Sequence, residues 1–463
     1  MQYFQAPLEW NSDLIRQYDL TGPRYTSYPT APQFCESFSS TSFTAAVDRS
    51  NASGRPLSLY FHIPFCDTLC FYCGCNKVVT NNKGRAQPYL EQMVREMAMQ
   101  ADMFDTSRPV TQLHWGGGTP TFISDDEMSW LMAATRNYFN LRDDDSGEYS
   151  IEIHPGRVSA NTMAHLRKLG FNRVSMGVQD FDPKVQKAVN RYNSVDEVGA
   201  LVKALRQQAY HSISMDLIYG LPMQSMSSVS ETLNRVIELS PDRLSLFNYA
   251  HMPHLFKSQA LIHEKDLPSA QQKLDLLHMA IERLQNAGYI YIGMDHFAKP
   301  DDSLVKAQQE GNLQRNFQGY STHGECDLLS FGVSAISAFG GIYLQNAKKV
   351  EDYQIIVASG LIPFVKGIKL SDEDLLRQFV INQLICHFKL GFSEVDRLFG
   401  INTRNHFSQE LAQLKPMVDD GLLVVNEEGI EVLNAGRLLI RRICMVFDEY
   451  LNNSSTIRYS KVI

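Results

Sequence analysis

Along Leu57–Ile63 apolar and other residues alternate: Leu57, Leu59, Phe61 and Ile63 fall on one face, and Ser58, Tyr60 and His62 on the other. This is the period of a strand. Short apolar runs recur at Thr111–Trp115, Ser150–Ile153, Arg173–Gly177, Ile213–Ile218 and Arg243–Phe247. Between them lie helical stretches such as Pro88–Met103, Asp126–Phe139 and Val229–Leu239. Ser124 and Glu127 have capping-box spacing before the second of these. Strand alternating with helix predicts an α/β fold of parallel strands joined by right-handed crossovers. Two more strand-like runs follow, Tyr289–Met294 and Leu328–Ser337. Six strands make an open, partial barrel and eight close one, and the pattern is compatible with both. In either, chemistry belongs at the C-terminal ends of the strands. Cysteines follow the first strand and glycines the second.

The last ~90 residues read differently. Ser371–Phe388 and Phe392–Phe399 are predicted helices, a small hairpin starts at Gly421 with its turn near Glu427–Gly429, and helix resumes from Ala435. This resembles a winged helix, read here as a packing module rather than a DNA reader. The expected division is an N-terminal segment 1–50 covering the active site, a catalytic domain 51–365, and a smaller, mostly helical domain 366–463.

Length and charge narrow the classes. A chain of 463 residues with 44% hydrophobic and 20% charged residues can bury a large core, which excludes a disordered or collagen-like chain. The net charge of −8 argues against a general nucleic-acid coat. It leaves room for an anionic small molecule where Arg and Lys converge. The N-terminus lacks a basic segment followed by an apolar one, so no signal peptide is expected. The longest uncharged run, Leu328 to Ala347, is broken by Gly332, Gly340 and Gly341. A membrane span needs about 20 predominantly apolar residues, so this run reads as buried strand and loop. A cytoplasmic protein with reduced thiols is expected.

Four of the eight cysteines, Cys66, Cys70, Cys73 and Cys75, lie within ten residues. A disulfide framework would spread them along a small secreted chain. The spacing C-x3-C-x2-C of Cys66, Cys70 and Cys73 suits three thiolates that each hold one iron of a four-iron cube, leaving the fourth iron open. A structural zinc site is the main alternative, but it usually shows two ligand pairs, and no second pair exists here. From spacing alone Cys75 is a fourth ligand, a neighbour of the substrate or a bystander. Tyr60 and His62 point to the same side, beside the cysteine loop. A lone histidine there is more often a satisfied structural residue than a ligand.

The stretch Tyr60–Cys75, YFHIPFCDTLCFYCGC, resembles the radical S-adenosylmethionine enzymes. With GPRYTSYPT (22–30), HWGGGTPT (114–121), SMGVQDF (175–181), DLIYGLP (216–222), FNYA (247–250), GMDHF (293–297) and NFQGY (316–320), the chain resembles the oxygen-independent coproporphyrinogen III dehydrogenases, also called coproporphyrinogen oxidases, of haem biosynthesis. The likeness runs from about residue 10 to the C-terminus. It implies a partial (β/α)6 barrel with a helical C-terminal domain, and a [4Fe–4S] cluster on Cys66, Cys70 and Cys73 with Cys75 close by but not ligating. It implies one S-adenosylmethionine on the open iron and a second beside it. Tyr60, Gly117 and Glu152 match the family's contacts to the first, and Ile336 falls at a further cofactor contact. Tyr72, Gly118, Thr119, Gln179, Arg191, Asp216 and Ala250 match the second site.

The residue types suit these roles. Glycines let backbone approach a cofactor, Glu152 and Asp216 accept from an ammonium or hydroxyls, and Arg191 forks onto a carboxylate. The implied reaction starts with cleavage of S-adenosylmethionine by one electron from the cluster. A 5′-deoxyadenosyl radical then takes a hydrogen from the β-carbon of a propionate of coproporphyrinogen III. Carbon dioxide leaves, an electron passes to an acceptor, and a vinyl group remains. Two such events give protoporphyrinogen IX. An electron donor for the cluster, an unidentified electron acceptor and a monomer complete the expectation, with no nucleic acid and no membrane span. The substrate's four carboxylates call for local cations, with Arg24, Lys77 and His323 as candidates.

Two departures stand out. Relatives usually read Glu-x-Asp-Pro-Arg where this chain has Glu152-Ile153-His154-Pro155-Gly156-Arg157, which replaces an acceptor-only carboxylate with a group that can also donate. They often have Gln at the position of His323. Three rivals follow. One is a haem-binding chaperone of the same family, which typically lacks Cys75 and the GPRYTSYPT segment present here. Another is a radical enzyme acting on a different porphyrin or haem. The third is a plain iron–sulfur electron carrier, which needs no glycine loop.

Overall fold

The computed structural model describes residues 7–451. They pack as two units that interleave in sequence. A barrel unit takes Cys35–Ala280 and Glu325–Lys369, and a helical unit takes the chain through Phe34, Ile281–Gly324 and the residues from Leu370 on.

The barrel unit is built on strands β1 (Leu57–Ile63), β2 (Pro109–Gly117), β3 (Glu148–Ile153), β4 (Arg173–Gln179), β5 (Ser212–Tyr219) and β6 (Arg243–Asn248). They lie side by side in the order β6-β5-β4-β3-β2-β1, all parallel. Strand β7 (Asp327–Phe331) joins the other edge of β1 in parallel. Antiparallel β8 (Ile336–Phe339), β9 (Ile342–Asn346) and β10 (Phe364–Lys369) extend the sheet beyond it. The path does not return to β6, so the barrel is open. The run Leu328–Ser337, expected as one strand, is two strands split by a turn. Gly332 (φ +96) and Ser334 (φ +60) take left-handed backbone there, which no strand continues through.

The outward face of β1 explains its place at the centre. Leu57, Leu59, Phe61 and Ile63 are fully buried. Each contributes about 1.5–3 kcal/mol by leaving water. Helix α1 (Ala86–Ala101) buries Tyr89, Leu90, Met93 and Met97, one helical face in which Met93 follows Tyr89 by four and Leu90 by three. Phe61 meets Phe331 with ring centres 5.0 Å apart, and Phe65 meets Tyr89 edge-on at 5.4 Å. Glu96 on the same helix face is buried too. Its carboxylate accepts from Gly332 N–H (2.8 Å), Asn346 Nδ2 (2.8 Å) and Tyr353 Oη (2.6 Å), which pins the turn between β7 and β8. Helix α2 (Asp125–Tyr138) starts in the expected Ser124–Glu127 capping box.

In the helical unit, helices Asp372–His387, Phe392–Phe399 and Ser408–Asp419 accompany a small sheet of Lys389–Gly391, Gly429–Val432 and Leu423–Val425. The hairpin turn lies at Asn426–Glu428, within two residues of its expected place. The stretch Gly22–Tyr28 is fastened to this unit. Arg441 Nε donates to the Pro23 carbonyl (2.9 Å), Tyr25 Oη to Asp448 (2.9 Å), and Gln378 Nε2 to the Tyr28 carbonyl (2.9 Å). Among the described residues no helix is long and apolar enough to cross a membrane.

Candidate active site

Strand alternation places a second set of side chains on the face opposite the apolar one, and it is polar or glycine. Register sets Tyr60 beside His114, His114 beside Ser150, Glu152 beside Ser175, and Asp216 between Gly177 and Ser245. A barrel interior of this composition is a reaction chamber rather than a hydrocarbon core.

At the end of β1, Tyr60 Oη lies 3.1 Å from His62 Nδ1, and His62 Nε2 lies 2.9 Å from the Asn76 carbonyl. A carbonyl only accepts, so Nε2 bears the proton and Nδ1 accepts from Tyr60. Burial holds His62 below its ordinary value, hence neutral. His62 is therefore a satisfied structural residue. Tyr60 stacks on His114, with ring centres 5.8 Å apart and planes within 9°. His114 bonds Ser150 Oγ through Nδ1 and reaches Glu152 Oε1 at 3.3 Å through Nε2. Glu152 Oε2 accepts from Gly117 N–H at 3.2 Å. Enclosure opposes ionisation of Glu152, yet the His114 and Gly117 bonds outweigh it and hold the carboxyl below the usual range. Glu152 stands ready as an anion.

The glycine turn has a steric origin. A Cβ on Gly116 would sit 3.0 Å from both Glu152 Oε1 and His114 Nε2. One on Gly118 would sit 2.5 Å from the Pro64 carbonyl oxygen, because Gly118 N–H and Thr119 N–H bond to Ile63 and Phe65 at 2.9 Å each. The turn thus lies directly on the backbone that leads into Cys66.

The cysteine loop is tethered all along its length. Thr119 Oγ1 reaches Cys66 Sγ at 3.5 Å, and Asn190 Nδ2 holds the Leu69 carbonyl (2.9 Å). Gln259 Nε2 holds the Tyr72 carbonyl (2.9 Å), while Lys77 Nζ (2.9 Å) and Ser258 Oγ (3.2 Å) hold that of Cys73. Cys66 and Cys70 are buried, Cys73 is half-buried and Cys75 exposed, and all four are free thiols. Burial pushes the Cys66 thiol up to about 11. Cys73 is held low by the Cys75 thiol and Lys77. Cys75 N–H reaches Cys73 Sγ at 3.4 Å, so Cys75 sits against the third thiol.

Arg191 is buried beside this loop. Nη1 lies 3.8 Å from Cys70 Sγ, Nη2 donates to the Gly177 carbonyl, and Nε has no partner. Gln179, at φ +68, leaves a buried Oε1 unpaired as well. A Cβ on Gly177 would touch both Gln179 Nε2 and Arg191 Nη2 at 2.8 Å, so the three are grouped. Asp216 accepts from Ser175 Oγ (3.0 Å), and burial pushes its carboxyl up to about 6 against bonds from Ser245 and Ser175. Unpaired donors and acceptors of this kind suit a polar ligand.

The structure therefore brings together Tyr60, Gly117 and Glu152, and separately Tyr72, Arg191, Gln179, Gly118 and Thr119 around the cysteine loop. Ala250 follows the end of β6, and Ile336 opens β8 with its carbonyl held by Ser330 Oγ (2.6 Å). Lys77 is committed to Cys73. Arg24 lies in the helical unit, 3.8 Å from Asp295, and His323 in the same unit has its N–H on Ser321 Oγ. The sequence reading named no role for His114, Ser150, Ser175 or Ser245. The alternation that paired Tyr60 with His62 also puts Gln112, His114 and Gly116 on one face, and that signal was available.

His154 answers one departure. Its Nδ1 accepts from Gly156 N–H (3.2 Å) and caps the short turn Pro155–Arg157. Burial, with Arg191 and Arg157 nearby, pushes it down to about 3, so it is a neutral acceptor. It keeps the acceptor role of a carboxylate there rather than adding a charge. It also lines a cavity of about 530 Å³ with Thr68, Arg157, Tyr192 and Asn193.

Comparison with known proteins bears on this arrangement. Residues 60–236 match the Radical SAM superfamily, and residues 370–439 match the HemN C-terminal domain. An oxygen-independent coproporphyrinogen III oxidase of Pseudomonas aeruginosa is 51% identical over 456 residues, covering 98% of this chain and 99% of that protein. That of Escherichia coli is 47% identical over 457 residues, covering 98% and 99%. The solved structure of the Escherichia coli coproporphyrinogen III oxidase, a radical SAM enzyme, superposes with a TM-score of 0.91, covering 96% of this chain and all of that one. The chain belongs to the oxygen-independent coproporphyrinogen III oxidase family of the radical SAM superfamily.

Proposed function

We propose that this protein converts two propionate side chains of coproporphyrinogen III to vinyl groups, giving protoporphyrinogen IX, by radical S-adenosylmethionine chemistry. The observation that carries this reading is the cysteine loop itself. Three free thiols sit on one tethered loop under a glycine turn, beside a carboxylate held ionised by Gly117 and His114.

The residues fit the cofactors of the family. No disulfide ties up Cys66, Cys70 or Cys73, and polar atoms of Arg191 and Gln179 are left unpaired beside them. Those cysteines would hold the [4Fe–4S] cluster, and cluster and S-adenosylmethionine when bound supply one-electron reduction and hydrogen-atom abstraction. Tyr60, Gly117, Glu152 and Ile336 would hold the first S-adenosylmethionine, with Glu152 accepting from its ammonium. Tyr72, Gly118, Thr119, Gln179, Arg191, Asp216 and Ala250 would hold the second, with Arg191 forked onto its carboxylate. Arg24 and His323 would face the substrate, while Lys77 serves the cysteine loop.

Each propionate loses one β-hydrogen atom, carbon dioxide and one electron. The chain's own part is to orient that β-carbon, keep Glu152 ionised and exclude water. The reaction calls for an external electron donor and an electron acceptor. A monomer in the cytoplasm is the simplest setting, and eight free cysteines suit a reducing compartment.

Anaerobic turnover tests this. The reconstituted protein with reductant, S-adenosylmethionine and coproporphyrinogen III is expected to yield protoporphyrinogen IX together with methionine and 5′-deoxyadenosine. Tight haem binding with no turnover would favour the chaperone reading and overturn this one.

A further inference from the structure

Three sequence motifs remain outside the cofactor site: GPRYTSYPT, GMDHF and NFQGY. All lie in the helical unit. There they meet. Arg24 of the first pairs with Asp295 of the second at 3.8 Å. Arg315, one residue before the third motif, faces Tyr320 across the hairpin Gln314–Asn316/Gly319–Ser321. Its guanidinium lies 4.7 Å from the Tyr320 ring centre.

Tyr320 is a fixed platform. Its hydroxyl donates to the Ile385 carbonyl at 3.0 Å, and His296 meets its ring edge-on at 5.2 Å. Gly293 makes the room, since a Cβ there would lie 2.2 Å from the tyrosine oxygen. A guanidinium stacked on a fixed ring presents its donor fork in one orientation.

Charge is unbalanced at this place. Burial lowers the basicity of Arg441, Arg24 and Arg315 lie near enough to lower it further, and Asp295 is the opposing carboxylate. Arg441 is committed to the carbonyls of Gly22 and Pro23. Arg315 has no such commitment. Its Nε and Nη1 are buried atoms without a hydrogen-bond partner, and among the described residues it forms no ion pair. A carboxylate would satisfy those donors and offset the repulsion among the arginines.

We propose that Arg24 and Arg315 form a carboxylate-binding site that takes a propionate of the tetrapyrrole. This rests on the function proposed above and adds the residues that recognise its substrate. A tetracarboxylate macrocycle needs anchors that act on binding rather than on chemistry, and paired guanidiniums supply them.

The test compares holoenzyme variants by KM. Arg315→Met is expected to raise KM for coproporphyrinogen III about tenfold to a hundredfold, as loss of a charge-assisted hydrogen bond implies. KM for S-adenosylmethionine and iron content should stay within twofold of wild type. Arg315→Lys should recover only part of the loss, because a point charge replaces a fork. If the methionine variant fails to hold its cluster, the lysine variant's KM decides: a clear rise supports the site, and a wild-type value overturns it. A KM for Arg315→Met within twofold of wild type overturns the site while leaving the reaction intact. If wild type itself does not turn over, the reaction is what fails. Fluorescence binding of oxidised, unreactive coproporphyrin III then decides the site. Weaker binding by Arg315→Met and by the tetramethyl ester supports it, and equal binding throughout overturns it.

Discussion

Asp216 and Glu152 are carboxylates on the same polar face of one barrel, and their surroundings drive them apart. Glu152 is held low by His114 and Gly117 despite its enclosure, whereas burial pushes Asp216 up to about 6. The sign for Asp216 follows from linkage. Its folded value lies above its unfolded one, so ionising it costs the folded state free energy as pH rises from about 4 to 6, and the cost is full above that. Asp216→Asn should therefore stabilise the protein at pH 8 by about 1–2 kcal/mol, allowing for solvent screening, and give no gain at pH 4. Thermal unfolding at the two pH values checks this. An equal change at both would mean that the carboxyl is not perturbed. The sequence carried both carboxylates on barrel strands but not their difference. That depends on which donors reach them: His114 from a neighbouring strand in one case, and hydroxyls of Ser175 and Ser245 in the other.

At the scale of elements, most of the barrel was legible because each strand alternates and each helix has its own period. Six parallel strands and the capping box lie where the pattern puts them. The split of Leu328–Ser337 was not legible, since the apolar run continues across a turn whose positive φ angles are set by Glu96 and Tyr89 far away in sequence. The glycine turn shows the same limit. Its glycines read as room for a cofactor, and the structure adds that Gly118 makes room for the backbone of the cysteine loop. Gly118→Ala should therefore displace Pro64–Phe65 and cut the iron bound on reconstitution to less than half. Gly54→Ala, at φ +61 with nothing within 4 Å, should cost about 1 kcal/mol of stability and leave the iron unchanged. Iron and sulfide analysis of both variants decides. Full iron content in Gly118→Ala would contradict the steric role.

At the scale of the whole molecule, packing joins residues through Phe34 to a stretch near residue 300 and to the C-terminal helices. The contacts that fasten Gly22–Tyr28 span some four hundred residues of chain, as from Arg441 to Pro23 and from Tyr25 to Asp448, and leave no local pattern to read. The motifs themselves were legible as words, but their grouping was not. Those in the barrel unit surround the cysteine loop, and GPRYTSYPT, GMDHF and NFQGY gather in the helical unit. The central claim is that decarboxylation runs through the cysteine loop. Carbon dioxide released from coproporphyrinogen III labelled in its propionate carboxyls measures this directly, with wild type and Cys70→Ala compared anaerobically. Two labelled carbon dioxides per tetrapyrrole from wild type, and none from Cys70→Ala, is the expected result. Equal release from both would contradict the account.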